Sequence, residues 1–387
     1  MLAFTKDLIR IKTENPPGMF YNECIRLIAR KLARFGLRPT VLKVRGGSYP
    51  RYCLMASHGT GKDTLYFHGH YDVVPALEKQ FSPLVVGKRL YGRGASDMKG
   101  GLTSMIYALR ALQLLNFKLQ GRVCLVIVPD EETGGELGTN YLFEHGYIER
   151  DGGIGMLMPE PSSGAIWHAC RGAFSVLVTI KGKPTHVVLQ HEGINAFDQM
   201  LDLSNALHRL KQNVEKRKTK FKVARGESRN SILMLGGVCR CGTNFNIVPG
   251  ECTFSIERRI NPEEDFAAEK RGLLNIIDRF RKKGMNITTK VLQAGESAGT
   301  SSDHHVANAL VNSIRDVMNK KPRFYMCPGL LEIRYYLKNG IPALAYGPGM
   351  LSNAHGPNEF IDVERIYDCA AVYALTAVKM LSSRGIK

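Results

Sequence analysis

Two short stretches, "HGHYD" (His68 to Asp72) and "PDEETGG" (Pro129 to Gly135), set histidines and carboxylates directly behind apolar runs. Adjacent acids repel one another and lose hydration when buried, so Asp130, Glu131 and Glu132 need either a solvated loop or a compensating cation. Segments of the same kind recur: "GRGASDMKGG" brings Asp97, "MPEPSS" brings Glu160, and "SNAHGPNE" brings His355. Singly, each reads as an ordinary polar loop beside glycine. Gathered at one place, imidazoles and carboxylates make a donor set that suits zinc, cobalt or manganese better than calcium, which prefers all-oxygen ligation. A paired zinc site is the simplest assignment, and its chemistry is hydrolysis by activated water.

Gathering these segments requires strands that end at one sheet edge. "DTLYFHGHYD", "GRVCLVIVPDEE" and "GIGMLMPEPSS" each read as a buried strand spilling into polar residues, and "YNECIRLIARKLARFG" and "GGLTSMIYALRALQLL" read as helices. In the first of these helices Ile25, Ile28, Leu32 and Phe35 fall at helical spacing before Gly36. This alternation predicts a mostly parallel sheet covered by helices, with ligands beyond the carboxyl ends of its strands.

From about Arg171 the pattern changes. "FSVLVTIKG", "ILMLGGV" and "ECTFSIERR" read as antiparallel strands, separated by two amphipathic helices. The final part returns to buried strand and glycine turn in "IPALAYGPG", where Gly347 and Gly349 are expected to permit a tight turn toward His355, and then to a long helix. The expected α/β architecture is therefore a discontinuous catalytic domain, residues 1–172 and 291–387, interrupted by an inserted α+β domain at 173–290.

The chain has 387 residues, is 44% hydrophobic and 23% charged, and contains no apolar run long enough to span a membrane. Its start has no signal-peptide pattern, and nine scattered cysteines read as reduced thiols, so a cytoplasmic location is expected. The formal charge of +18 raises the possibility of nucleic-acid binding. However, the basic stretches His208 to Lys222 and Asp278 to Lys283 lack interleaved aromatic platforms, so a solvated basic surface is the expected reading.

The segments "HGHYDVVP", "GRGASDMKGG", "DEETGG", "PEPSS" and "SNAHGPNE" resemble, in order, the motif set of the zinc-dependent deacylase and exopeptidase family. That family includes acetylornithine deacetylase, succinyl-diaminopimelate desuccinylase, aminoacylase and glutamate carboxypeptidase. The resemblance runs from about Lys6 to Met380. It implies a metallohydrolase domain with an inserted dimerisation or lid domain. By the same resemblance His70, Asp97 and Glu160 hold one metal and Asp97, Glu132 and His355 the other, with Asp97 bridging. Asp72 then orients the His70 imidazole, and Glu131 acts as general base.

In the inserted domain the resemblance implies that His186 donates a hydrogen bond to the substrate carbonyl oxygen, commonly from a partner subunit of a homodimer. The chain departs from the family by having Val187, Val188 and Gln190 where small hydroxyl residues and proline are usual. Asn246 is matched to the substrate or oxyanion region and Arg259 to a substrate carboxylate, while Glu257 replaces a more usual aspartate. A structural ion pair is an equal expectation for Arg258. His304 and His305 read as supporting, pocket or helix-start residues, and Ser96 and Ser302 as structural, since no serine triad is visible.

The expected reaction is hydrolysis of an N-acyl amino acid of the acetylornithine or succinyl-diaminopimelate type by two divalent ions, zinc first, with cobalt or manganese as alternatives. Dipeptidase or carboxypeptidase action is the enzymatic alternative. A noncatalytic nucleic-acid-associated protein is the alternative of a different class, and the non-ligating acid Glu131 argues against it.

Overall fold

The structure is a computed structural model, described for residues 1–46 and 49–382. The strand Thr64–His70 is buried at every position, as expected for a strand covered on both faces. Arg122–Val128 and Gly153–Met158 flank it in parallel, and Ala343–Ala345 extends the parallel set beside Gly153–Met158. Arg51–Gly59 and then Thr40–Val44 add antiparallel strands at one side. The result is a nine-stranded sheet whose centre is parallel.

The register positions the chemistry. His70 lies opposite Val128, so two neighbouring strands end level, and the next residues in each chain are the polar ones. Gly153–Met158 stops two residues before Glu160, and Ala343–Ala345 leads into the loop that reaches His355.

Helices cover this sheet because their apolar residues repeat at helical spacing. Tyr21–Arg34 buries Cys24, Ile25, Ile28 and Leu32; Phe35 caps it, and Gly36 takes φ +79°, a left-handed conformation that ends the helix. Gly100–Leu114 and Val363–Leu381 contribute Leu102, Met105, Leu109, Val372 and Tyr373 to the same core.

The chain divides into two compact units. The first comprises Met1–Ala169, Gly299–Tyr325 and Leu331–Lys387; the second comprises Cys170–Ala298 and Met326–Leu330. The second unit extends past the expected limit at 290 because Asn286–Gly295 is a strand paired along Gly172–Lys181, an element the sequence pattern did not single out. Its antiparallel sheet runs in the order Ile232–Cys241, Glu251–Ile260, Gly172–Lys181, Asn286–Gly295. Strand Glu251–Ile260 alternates strictly, and Cys252, Phe254, Ile256 and Ile260 share a core with Leu203 and Leu207 of helix Ala196–Val214 and Ile277 of helix Phe266–Lys282.

One expectation is corrected here. Not all cysteines are thiols: Cys241 and Cys252 lie directly opposite across two antiparallel strands, with Cα atoms 4.2 Å apart, and form a disulfide. Residues directly opposite on neighbouring antiparallel strands are close enough to bond, a relation that spacing along the chain does not reveal. Among the described residues no helix is long and apolar enough to cross a membrane.

Candidate metal centre

His70 ends the central strand with its ring fully buried. Its Nδ1 lies 3.0 Å from the backbone oxygen of Asp72 and 3.2 Å from Asp72 Oδ1, which turns Nε2 toward a group of acids. Asp72 is itself fixed: Asn15 donates to Oδ2 at 2.8 Å, and the backbone N–H groups of Glu131 and Glu132 donate at 3.3 and 3.2 Å. One carboxylate thus holds both the imidazole and the start of the acidic turn.

Around His70 Nε2 stand Asp97 Oδ1 at 3.3 Å, Glu160 Oε1 at 3.7 Å and Glu131 Oε2 at 4.0 Å. The other oxygen of Asp97 faces His355 Nε2 at 3.2 Å, and Glu132 Oε1 faces the same nitrogen at 3.3 Å. Two groups with metal-ligand geometry share Asp97: His70, Asp97 and Glu160, and Asp97, Glu132 and His355. The donor atoms within each group lie within 4.8 Å of one another.

A pair of cations fits this arrangement. His70 Nε2, Asp97 Oδ1, Glu132 Oε1 and Glu160 Oε1 are buried and make no hydrogen bond, although all four face the same small volume. Buried polar atoms are normally satisfied, so a convergent unsatisfied set marks the place of an ion. The electrostatics agree. Burial pushes the Glu131 and Glu160 carboxyls well above the usual range, with neighbouring acids adding to the effect. Burial also acts to raise Asp97, but the two flanking imidazoles hold it well below that range. The carboxylates bordering His355 push its pKa up to about 11. The cluster carries more negative charge than its two imidazoles can balance.

A buried frame holds the two outer loops. Glu359 accepts hydrogen bonds from the backbone N–H groups of Ser96 and Asp97 and pairs with Arg93, which donates in turn to the backbone oxygen of His355. His355 itself adopts φ +63°, a left-handed backbone that is uncommon outside glycine. Gly347 and Gly349 serve close approach rather than a left-handed turn. A Cβ on Gly347 would collide with the Pro159 and Glu160 carbonyls, and one on Gly349 with the Ser96 carbonyl.

Several neighbouring residues take other roles. His68 is turned to Glu332 at 2.7 Å and Tyr336 at 3.1 Å and belongs to neither ligand group. Thr139 donates to Glu332 at 2.6 Å, while Arg334 and Tyr335 donate to the Gly134 carbonyl, so the segment after Leu331 clasps the acidic turn. Asp130 accepts from the Leu137 N–H at 2.7 Å and shapes the same turn. Ser96 exchanges hydrogen bonds with the Met350 backbone, and His304 caps the helix His305–Met318. Arg93, Glu359, Asn15 and Glu332 were not assigned from sequence; for Arg93 and Glu359 the available signal was a charged residue inside a glycine-containing motif, "GRGASD" and "HGPNE", and Asn15 and Glu332 carried none.

The remaining expected residues lie in the second unit. His186 is exposed, caps the turn Val187–Glu192 through Nδ1, and bridges to Ile247. Asn246 stands beside it, its backbone oxygen accepting from the Val187 N–H at 2.9 Å. Arg259 directs Nε to Glu257 at 2.6 Å. Arg258 points into the core and pairs with Glu264 at 2.7 Å and Glu269 at 2.9 Å, a structural role.

Comparison with known proteins agrees with this architecture. The family described as peptidase family M20/M25/M40 matches residues 66–379. A probable succinyl-diaminopimelate desuccinylase of Staphylococcus epidermidis is 26% identical over 393 residues, covering 95% of this chain and 94% of that protein. Among solved structures, an M20 family metallo-carboxypeptidase from Sulfolobus solfataricus is 19% identical with a TM-score of 0.82, covering 97% of this chain and 98% of that one. Human carnosine dipeptidase 1 is 17% identical with a TM-score of 0.74, covering 98% of this chain and 96% of that one.

Proposed function

The chain belongs to peptidase family M20/M25/M40 and is a metal-dependent hydrolase, and from that premise we propose that it removes the acyl group from an N-acyl amino acid. One observation carries the reading: Glu131 comes within 4.0 Å of His70 Nε2, yet it belongs to neither ligand group. A purely structural ion has no use for such an acid, whereas amide hydrolysis requires one to move a proton.

In this proposal His70, Asp97 and Glu160 hold one divalent ion and Asp97, Glu132 and His355 the other. The imidazole and carboxylate donors favour zinc, with cobalt or manganese as alternatives. When bound, such ions lower the pKa of water and polarise the amide carbonyl. Asp72 keeps the His70 ring turned toward the acids. Glu131 takes the proton from the attacking water and delivers it to the leaving amine. His186 and Asn246 stabilise the carbonyl oxygen, and Arg259 receives the free carboxylate of the substrate.

The name carried by the staphylococcal relative supports a substrate of the succinyl-diaminopimelate type, with acetylornithine as the nearby alternative. A dipeptide is the second reading, supported by the fold shared with human carnosine dipeptidase 1. Around His186, Val187, Val188, Leu189, Ile194, Phe197 and Phe245 are exposed, an apolar surface that suits contact with a second copy in a homodimer. The buried thiols Cys24, Cys53, Cys124 and Cys369 suit the cytoplasm, whereas the Cys241 to Cys252 bond does not. No nucleic-acid role is assigned.

Amine release should be measured from acetylated and succinylated amino acids and from dipeptides, using zinc-, cobalt- and manganese-loaded protein with Glu131→Gln as control. Preference for an acylated amino acid supports the proposal. Selective dipeptide cleavage moves the assignment to peptidase, and Glu131-independent turnover removes the basis for both.

A further inference from the structure

A cavity of about 690 Å³ opens in the first unit between the turn at Ser163 and Gly164, the end of helix His305–Met318 and the start of helix Val363–Leu381. None of the six acids and histidines of the metal centre lines it. Its apolar wall is made by Ile314, Met318 and Tyr346, and the Tyr346 hydroxyl is held by Met318 Sδ at 3.1 Å. Five cations line it, together with three carboxylates.

The charges do not cancel within the cavity. Asp362 pairs outward with Arg89 at 3.2 Å, and Glu364 lies 3.9 Å from Lys88. Among the described residues Lys320, Lys321, Arg323 and Arg365 make no ion pair, leaving Asp368 as the carboxylate that faces them. Arg365 lies beside the turn: its Nη2 comes within 3.5 Å of where a Cβ on Gly164 would stand. The helix Val363–Leu381 begins at the same wall, with Asp362 at its N-cap and Glu364 in its first turn, so the helix end itself is already matched by carboxylates and the excess positive charge comes from the side chains.

From these features we infer that this cavity binds a small dianion, a phosphate or a short dicarboxylate. The unpaired cations take the oxyanion groups, and Ile314 and Met318 take any carbon skeleton between them. A planar guanidinium beside the turn suits either oxyanion through paired hydrogen bonds, while two flexible lysines adapt to the distance between charges. The turn at Gly164 lies four residues beyond Glu160 in the chain, so the site adjoins the metal centre in sequence without sharing its ligands.

Calorimetric titration of metal-loaded protein with phosphate, and separately with succinate, tests the inference. Three proteins are compared: the wild type, Lys320→Ala/Lys321→Ala/Arg365→Gln, and His355→Ala. The expected result is binding of one or both anions to the wild type that weakens at least about tenfold in the cavity variant, persists in His355→Ala, and falls as salt is raised. The anion that binds more tightly identifies the source. Lys320 and Lys321 are exposed, so Lys320→Ala/Lys321→Ala alone should fold normally and show an intermediate loss. Absence of binding of both anions at about 10 mM overturns the inference, as does binding that survives undiminished in stoichiometry and strength in the cavity variant or disappears in His355→Ala.

Discussion

Arg93 and Glu359 form a buried ion pair, Nη1 to Oε2 at 2.5 Å, and it is this pair that joins the loop of Asp97 to the loop of His355. Glu359 accepts from the Asp97 N–H at 3.1 Å, and Arg93 donates to the His355 oxygen at 3.0 Å. Glu359→Ala leaves a buried guanidinium without its partner and two loops without their common anchor. It should cost about 3–5 kcal/mol in stability and reduce bound metal. Thermal unfolding and metal analysis check this; full metal content with an unchanged melting temperature contradicts it.

Glu131→Gln keeps size and hydrogen bonding but cannot accept a proton. Turnover should fall by on the order of 10²–10⁴ while metal content stays at the wild-type level. Loss of metal together with activity would instead make Glu131 a ligand.

Removal of metal should destabilise the first unit, because the buried acids Asp97, Glu131, Glu132 and Glu160 then lose their compensating charge and must either repel one another or take up protons. An ion present at a hundredfold over its dissociation constant contributes about 2.7 kcal/mol. Chelation should therefore lower the melting temperature of the wild type and leave Asp97→Ala almost unaffected, and equal shifts in both proteins would argue against a metal held by these residues.

In the second unit, burial acts to raise the Glu264 carboxyl, but Ser231, the Asn261 N–H, Arg217 and Arg258 hold it below the usual glutamate value. A depressed folded-state pKa contributes stability that is complete above the unfolded value of about 4.3 and is lost as pH falls through the lower folded value. Glu264→Gln should destabilise by about 3 kcal/mol at neutral pH, and its difference from the wild type should shrink in acid. Unfolding curves at several pH values decide this; a difference that does not change with pH would show that packing, not charge, is responsible.

If His186 acts across a homodimer, subunits carrying Glu131→Gln and subunits carrying His186→Ala should restore part of the activity when mixed, since some sites then receive one intact residue from each chain. No recovery after verified exchange of subunits would place His186 in its own subunit's site.

Much of this architecture is legible along the chain. Buried β-strands that run straight into acids, helices with apolar residues every three or four positions, and the order His70, Asp97, Glu131, Glu132, Glu160, His355 are all local patterns. A parallel sheet turns such patterns into position, because strands of equal register end together and deliver their loops to one edge. What the sequence could not decide are relations between residues far apart in the chain. His68 has the same local setting as His70, yet the fold gives it Glu332, 264 residues away, while His70 receives the acids. The Arg93 to Glu359 pair, the strand Asn286–Gly295 and the Cys241 to Cys252 bond depend in the same way on which segments the fold brings side by side. Periodicity reports which face of an element is buried, but the partner waiting on that face is chosen only when the whole chain has closed around it.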